Sequence, residues 1–170
     1  MRIPMLWILV LAVCSTRAWG QAEEKYVGHG YGYVAPGLCL YNSGQCPGAL
    51  QFGGGGEVLV RRRLGIGGEI GYAHVGAAKY SIADNLLLLS VNGSYHFGAR
   101  RPDAKLAPFF TWGAVYGSTL RSGGGRGWGG VNLGGGVHYW FRKRVGLRVE
   151  PRVTFAGCTL VGFRIGPAFR

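Results

Sequence analysis

Apolar side chains recur at every second position along much of this 170-residue chain, and this period limits what it can fold into. Between Val145 and Phe155 the odd-numbered positions are all apolar, whereas the even-numbered positions include Arg148, Glu150 and Arg152. A period of two belongs to a β-strand, whose side chains point alternately to opposite faces. No segment shows a convincing helical period near 3.6, so the sequence predicts an all-β protein.

The second face of the alternating segments carries mostly small or charged residues. Gly134 and Gly136 lie on it between Val131 and Phe141, and Gly162 and Gly166 lie on it near the C-terminus. Alternation alone does not show which face is wet, since a water-soluble barrel hides its apolar face inside. A bulky apolar face opposite a small or charged one suits a narrow barrel whose apolar side chains point out toward lipid.

Eight segments show this alternation, two of them weakly. Eight is an even number, as in single-chain outer-membrane barrels, and most segments approach the roughly 9–11 residues with which a tilted strand crosses a bilayer. The sequence therefore predicts an eight-stranded antiparallel up-and-down transmembrane β-barrel. Its predicted strands are Tyr26–Val34, Gln51–Val60, Leu64–Tyr72, Leu87–Phe97, Phe110–Tyr116, Val131–Phe141, Val145–Phe155 and Thr159–Phe169.

The connections between these segments alternate in predicted length. Long ones fall near 35–50, 73–86 and 117–130, and shorter basic ones near 61–63, 98–108 and 142–144. A short hairpin near 156–158 is the exception. Because membrane barrels have short periplasmic turns and longer outer loops, both termini are expected to lie in the periplasm.

Residues 1–20 have the organisation of a secretory signal peptide. Arg2 supplies positive charge, an apolar run extends from Leu6 to Val13, and Ala18-Trp19-Gly20 provides the small residues needed for cleavage. The apolar run is shorter than the about 20 residues that cross a bilayer as a helix, and no later run is long enough. The remaining chain, 21–170, is predicted to be one barrel domain without a transmembrane helix.

Export would place the remaining cysteines in an oxidising compartment. Cys39 and Cys46 lie in one stretch rich in glycine, proline and asparagine, and they are the natural pair for a disulfide that staples a loop. Cys158 is left over, and three scattered cysteines lack the spacing of a metal site. We therefore predict a Cys39–Cys46 bond, no metal and no cofactor.

The chain carries a net charge of +12, which raises the question of a nucleic-acid partner. The basic residues do not form one stripe, since they fall in three clusters between predicted strands, at 61–63, 100–105 and 142–144. An exported chain also rarely meets nucleic acid. We expect these clusters to contact anionic lipid headgroups and no nucleic acid.

The segment from Gly134 to Arg152 resembles the penultimate hairpin of the small OmpA-like outer-membrane β-barrel family. In that family a glycine-rich strand ending in aromatics is followed by a short turn and a strand of the form G-L-R-x-E-x-R, matched here by Gly146–Arg152. The ending Phe163–Phe169 is similar to the family's last strand, whose terminal aromatic is read by the barrel-insertion machinery, although Arg170 follows it here. The resemblance implies a bacterial outer-membrane protein, expected to be a monomer in contact with membrane lipid and lipopolysaccharide.

The resemblance also implies that charged side chains pair inside the barrel. Five of them fall on the small-residue faces and are expected to form one buried network: Glu69, Arg148, Glu150, Arg152 and Arg164. An unpaired buried charge costs several kcal/mol, so pairing is expected. Because the interior of eight strands is just wide enough for side chains, we expect this network to close the lumen and not to conduct ions.

Some small outer-membrane barrels are hydrolases that modify lipid A, and the deacylase type uses a His-x-Ser step. A serine follows at the second position after none of the histidines, which are His29, His74, His96 and His138. We therefore predict no catalytic site and a structural or surface-interaction role in the envelope. A serine could still meet a histidine in space, the candidates being Ser90, Ser94 and Ser118. Two alternatives stay open, a lipid A-modifying enzyme and a soluble lipocalin-like barrel that carries a ligand.

Overall fold

The computed structural model describes residues 28–40, 47–60, 63–76, 84–97, 104–120 and 127–170. The predicted signal peptide at 1–20 and Cys46 lie outside these ranges. Among the described residues, no helix is both long enough and apolar enough to cross a membrane.

Eight β-strands follow one another along the chain, and each pairs antiparallel with its neighbours in sequence. The last strand also pairs with the first, so the sheet closes on itself. The predicted eight-stranded antiparallel up-and-down barrel is therefore confirmed. The strands are β1 (Gly28–Leu40), β2 (Gly48–Leu59), β3 (Leu64–Val75), β4 (Asp84–His96), β5 (Leu106–Thr119), β6 (Gly127–Trp140), β7 (Val145–Ala156) and β8 (Cys158–Phe169).

Most strands extend beyond their predicted ends. β1 continues past Val34 to Leu40, although this stretch contains Pro36 and Gly37, which usually indicate a loop. In the barrel Pro36 pairs with Leu50 of β2, and Gly37 pairs with Gly162 of β8. The wall therefore accommodates residues that a single sequence assigns to turns.

The predicted alternation of long and short connections is wrong. We call the end that carries 41–47, 76–83, 120–126 and Gly157 the loop end, and the end that carries 60–63, 97–105, 141–144 and the C-terminus the turn end. The loop-end connections are much shorter than predicted because the strands continue into them, and 97–105 at the turn end is the longest of all. The predicted short β7–β8 hairpin is confirmed: its turn is Gly157 alone, at a φ of 81° that favours glycine.

Large apolar side chains point outward all around the barrel. Val91 is 66% exposed and Phe163 49%, whereas Arg148 is 2% exposed and Glu150 is fully enclosed. This is the predicted arrangement, with the apolar face outside and the charges inside. The outward set includes Val34, Leu38, Leu50, Phe52, Val58, Ile66, Ile70, Leu89, Phe110, Trp112, Tyr116, Val131, Leu133, Phe155, Val161 and Ile165.

Glycine on the inward face makes room for larger side chains opposite. A Cβ on Gly134 would collide with the Glu150 carboxylate, and a Cβ on Gly71 would collide with the Tyr33 hydroxyl. The glycine-rich strand faces therefore let a narrow eight-stranded interior hold long polar side chains.

Cys39 is bonded to Cys158, so the predicted Cys39–Cys46 disulfide is wrong. Leu40 pairs with Thr159 where β1 and β8 close the barrel, and this register brings the Cα atoms of the two cysteines to 6.2 Å. The bond joins the first and last strands at the loop end across a sequence separation of 119. Closeness in sequence favoured Cys46, whereas closure of the sheet decides the actual partner.

Candidate functional site

The structure places all five predicted lumen charges inside the barrel. Each is at most 7% exposed, and ion pairs join them into one group that we call the ion network: Glu69, Arg148, Glu150, Arg152 and Arg164. They come from β3, β7 and β8, and alternation places each on the inward face of its strand. The network occupies the middle of the lumen.

Glu150 is the most enclosed member of the ion network. Its Oε2 accepts from Arg148 through Nε at 2.9 Å and lies 2.8 Å from Nη2 of the same guanidinium. Its Oε1 accepts from Nε of Arg152 at 2.7 Å. Paired contacts of this kind between arginine and carboxylate are among the strong hydrogen bonds in proteins. Glu150 thus holds both arginines of its own strand.

Glu69 joins β3 to strands on the other side of the barrel. Its Oε2 accepts from Arg152 Nη1 at 2.7 Å, and its Oε1 accepts from Arg164 Nη1 at 2.6 Å. Tyr31 of β1 and Asn92 of β4 donate to the same carboxylate at 3.0 and 2.7 Å. Hydrogen bonds to this one carboxylate therefore connect five strands across the lumen.

The ion network contains three arginines and two glutamates, which leaves one positive charge in excess. Aromatic ring faces lie against the guanidinium groups. The Cζ of Arg148 is 4.0 Å from the centroid of Tyr31 and 4.2 Å from that of Phe109, and Arg164 lies 4.1 Å from Tyr33. Ring faces attract cations, most strongly where water is excluded, so these contacts offset part of the excess charge.

Apolar side chains fill the lumen between the ion network and the loop end. Leu160 and Val75 are almost completely buried there, and Trp128 and Cys158 pack against the group. This loop-end layer consists of Cys39, Ala49, Ala73, Val75, Leu86, Leu88, Val115, Ala156 and Leu160. A packed apolar layer offers water and ions no polar partners.

A second cluster, at the turn end, was not predicted from the sequence. The ring of His138 lies 4.6 Å from that of His29 and stacks 4.5 Å from Phe109. Trp140 stacks 5.6 Å from His138, and the guanidinium of Arg170 lies 3.9 Å above Trp140. Each histidine occupies an inward position in its strand, which is the one sequence signal that points to this cluster. Their meeting depends on the register around the barrel, which one strand does not reveal.

Ser94 does meet a histidine, but without the geometry of a catalytic triad. Its Oγ lies 3.3 Å from Nε2 of His96, and the same Nε2 lies 2.5 Å from Oε1 of Glu57. In a triad the acid holds one ring nitrogen and the serine faces the other. Here both compete for one nitrogen, so Glu57 cannot orient His96 as a base for Ser94. Ser94 is also 2% exposed inside the lumen.

Metal binding finds no support in the described part of the chain. No group of three or more histidine, cysteine, aspartate or glutamate side chains there is arranged to hold a metal ion. The three lumen histidines instead pack by their ring faces and edges.

The fold is similar to that of proteins with known structures, although the sequence is not. No family model and no curated protein matches the sequence. Neisserial surface protein A matches the structure with a TM-score of 0.62 at 13% identity, covering 84% of this chain and 96% of that one. The N-terminal β-barrel domain of Pseudomonas aeruginosa OprF matches at 0.56 and 18%, covering 82% and 96%. Ail, the attachment invasion locus protein of Yersinia pestis, matches at 0.54 and 12%, covering 84% and 97%. The chain therefore has the fold of small outer-membrane β-barrel proteins.

Proposed function

We propose that this chain is an integral protein of a bacterial outer membrane, with a lumen closed by side chains and a structural or surface-interaction role in the envelope. The observation that carries the proposal is the distribution of polarity. Large apolar side chains cover the outside, while Glu69, Glu150 and their arginines are enclosed. In water this arrangement would expose far more apolar surface than soluble monomers carry, whereas in lipid it is favourable.

The dimensions of the barrel support the same environment. A strand of 12 residues, such as β2, is about 40 Å long, and a tilt of about 40° reduces its height to about 30 Å. The hydrocarbon core of a bilayer is about 30 Å thick. Each strand of the wall is hydrogen-bonded to a neighbour on both sides, and the closed sheet has no open edge, which is the condition for a β-structure in lipid.

The lumen supports a role without transport or catalysis. It is filled by the loop-end layer, the ion network and the cluster of His29, His96 and His138 at the turn end, which we call the histidine cluster. We place both termini in the periplasm because β1 begins and β8 ends at the turn end. Two of the three connections there, 60–63 and 141–144, are shorter than three of the four at the loop end, whereas the third, 97–105, is long. The connections at the loop end would then face the surroundings of the cell.

Four measurements test this proposal. The protein should fractionate with outer membranes, and its mobility in a detergent gel should shift on boiling. In a planar bilayer the purified barrel should show no steady conductance, since side chains fill its interior. A protein recovered in the soluble fraction as a ligand carrier would contradict the membrane assignment. A change in the mass of lipid A on incubation with the purified barrel would establish the enzyme instead.

A charge placed on the outer wall should destabilise the barrel according to its depth. Val91 lies halfway along β4, opposite Gly68 and Ala114, and is 66% exposed. We expect Val91→Arg to lower the free energy of unfolding in lipid vesicles by about 2–4 kcal/mol, because it puts arginine at the bilayer midplane. Urea titration followed by tryptophan fluorescence measures the change.

Val145 provides the matched control for this substitution. It is also an exposed valine, but it is the first residue of β7, at the turn end. Val145→Arg should cost no more than about 1 kcal/mol, since arginine reaches the headgroups there. Equal effects at both positions would count against a bilayer around the barrel.

A further inference from the structure

The exposed cations of the described residues all lie at one end of the barrel. Five exposed basic side chains belong to connections at the turn end: Arg63, Lys105, Arg142, Lys143 and Arg144. Half-buried Arg170 follows β8 at the same end. The other described arginines are those of the ion network. We call the five exposed residues the basic rim.

Backbone hydrogen bonds distribute the basic rim around the barrel. The carbonyl of Arg63 accepts from His96 at the end of β4, and that of Lys105 accepts from Trp140 at the end of β6. The carbonyl of Arg144 accepts from the amide of Arg170, just beyond β8. The positive charges are therefore spread around the barrel from β3 to β8 and are not concentrated at one place.

Acidic side chains do not neutralise the basic rim within the described part of the chain. The carboxylates whose side chains the structure describes are Glu57, Glu69 and Glu150, and each is at most 7% exposed. Arg63 donates to the hydroxyl of Tyr95 at 3.2 Å, which is an uncharged partner. The rim therefore presents positive charge outward.

A belt of exposed apolar and aromatic residues adjoins the basic rim. Phe141 is 60% exposed beside Arg142, Leu106 is 61% exposed beside Lys105, and Phe97 is 54% exposed at the end of β4. Aromatic residues at such positions lie at the boundary between hydrocarbon and headgroups, and long basic side chains reach the headgroups from there. The belt thus sets the rim at the height of lipid phosphates.

We propose that the basic rim binds the phosphate groups of anionic glycerophospholipids in the leaflet at the turn end. Guanidinium groups pair with phosphate oxygens through two parallel hydrogen bonds, which an ammonium does not do. Zwitterionic lipids bring a cation of their own beside the phosphate, so lipids with net negative charge are favoured. This inference rests on the membrane insertion proposed above. In the proposed orientation the leaflet is periplasmic, opposite the one that carries lipopolysaccharide.

The test measures which lipids surround the full-length barrel in nanodiscs of phosphatidylcholine mixed with phosphatidylglycerol. Mass spectrometry of the intact particles counts the lipids that stay bound after collisional removal of the rest. We expect phosphatidylglycerol to be enriched over phosphatidylcholine. The triple variant Arg142→Gln/Lys143→Gln/Arg144→Gln should lose about ten-fold or more of that enrichment, since each basic residue near a charged surface contributes about five-fold. The enrichment should also fall as salt is added.

A charge-conserving variant separates this binding from a general effect on the fold. Arg142→Lys/Arg144→Lys keeps the net charge of the rim but removes the paired guanidinium hydrogen bonds, so it should keep the part of the enrichment that charge alone provides and lie between the wild type and the triple variant. An enrichment unchanged in the triple variant would overturn the inference. So would displacement of phosphatidylglycerol by millimolar inorganic phosphate, which would indicate a site for the free ion. A rim-dependent preference for lipid A over phosphatidylglycerol would overturn it too.

A failure of this lipid-binding inference can be distinguished from a failure of the proposed function. Both ends of the barrel meet the same lipids in a nanodisc, so the selectivity does not depend on orientation in the cell. A barrel that inserts and shifts on boiling but shows no lipid selectivity contradicts this inference alone. A chain that does not insert contradicts the membrane assignment itself.

Discussion

We expect Glu150→Ala to lower the free energy of unfolding of the barrel by about 3–5 kcal/mol, the largest effect of any single substitution proposed here. Arg148 then loses the carboxylate that it contacts at 2.8 and 2.9 Å, and Arg152 keeps its contact with Glu69. Both guanidinium groups stay enclosed, at 2% and 3% exposure. Urea unfolding in lipid vesicles, followed by tryptophan fluorescence, should show a lower midpoint.

Two further variants separate lost charge from lost volume. Glu150→Gln keeps the size of the side chain and removes its charge, so it should show most of the loss. Thr154 is a buried polar residue on the same inward face of β7. Thr154→Ala should cost only about 1 kcal/mol, the usual size of a single-substitution effect that leaves no buried charge unpaired. A midpoint that Glu150→Gln leaves unchanged would show that the ion network contributes no stability.

The second large effect concerns the bond between Cys39 and Cys158. We expect Cys39→Ala/Cys158→Ala to lower the free energy of unfolding by about 4–5 kcal/mol, because a cross-link that closes so long a loop greatly restricts the unfolded chain. The sequence separation of 119 covers most of the 170-residue chain. The measurement is the urea midpoint of the oxidised protein against the variant.

Cys46 supplies the control, since it is not the partner of Cys39. Cys46→Ala should leave the midpoint unchanged, and reduction of the wild type with dithiothreitol should bring it down to that of the double variant. Peptide mapping under non-reducing conditions identifies the linked residues directly. A peptide that links Cys39 to Cys46 would contradict the structure.

The fold was predictable because a period of two is visible within each strand. In β7, alternation correctly put Arg148, Glu150 and Arg152 on one face and Leu147 on the other. Which face meets lipid followed from glycine, since the charged faces are also the glycine-rich ones. Strand ends were harder to predict, because Pro36 and Gly37 resemble a loop locally and are held in β1 by pairing with β2 and β8.

The disulfide and the histidine cluster were not predictable from local patterns. Cys39 meets Cys158 because the first and last strands pair, and this depends on how the sheet closes. His29, His96 and His138 come from three strands whose relative stagger brings their rings together. Alternation gives each side chain its face but not its height in the barrel, and height decides which inward residues touch.

The span of the Glu69 contacts bears on how the barrel is assembled. This carboxylate belongs to the third strand, whereas Arg152 and Arg164, which neutralise it, belong to the final hairpin. A half-built sheet would carry an acid without its counterions into the membrane, which is costly. The C-terminal hairpin supplies those counterions, so the cost of the Glu69 charge in lipid falls only when this hairpin joins the sheet. We therefore expect the chain to enter the bilayer as a nearly complete barrel and not strand by strand.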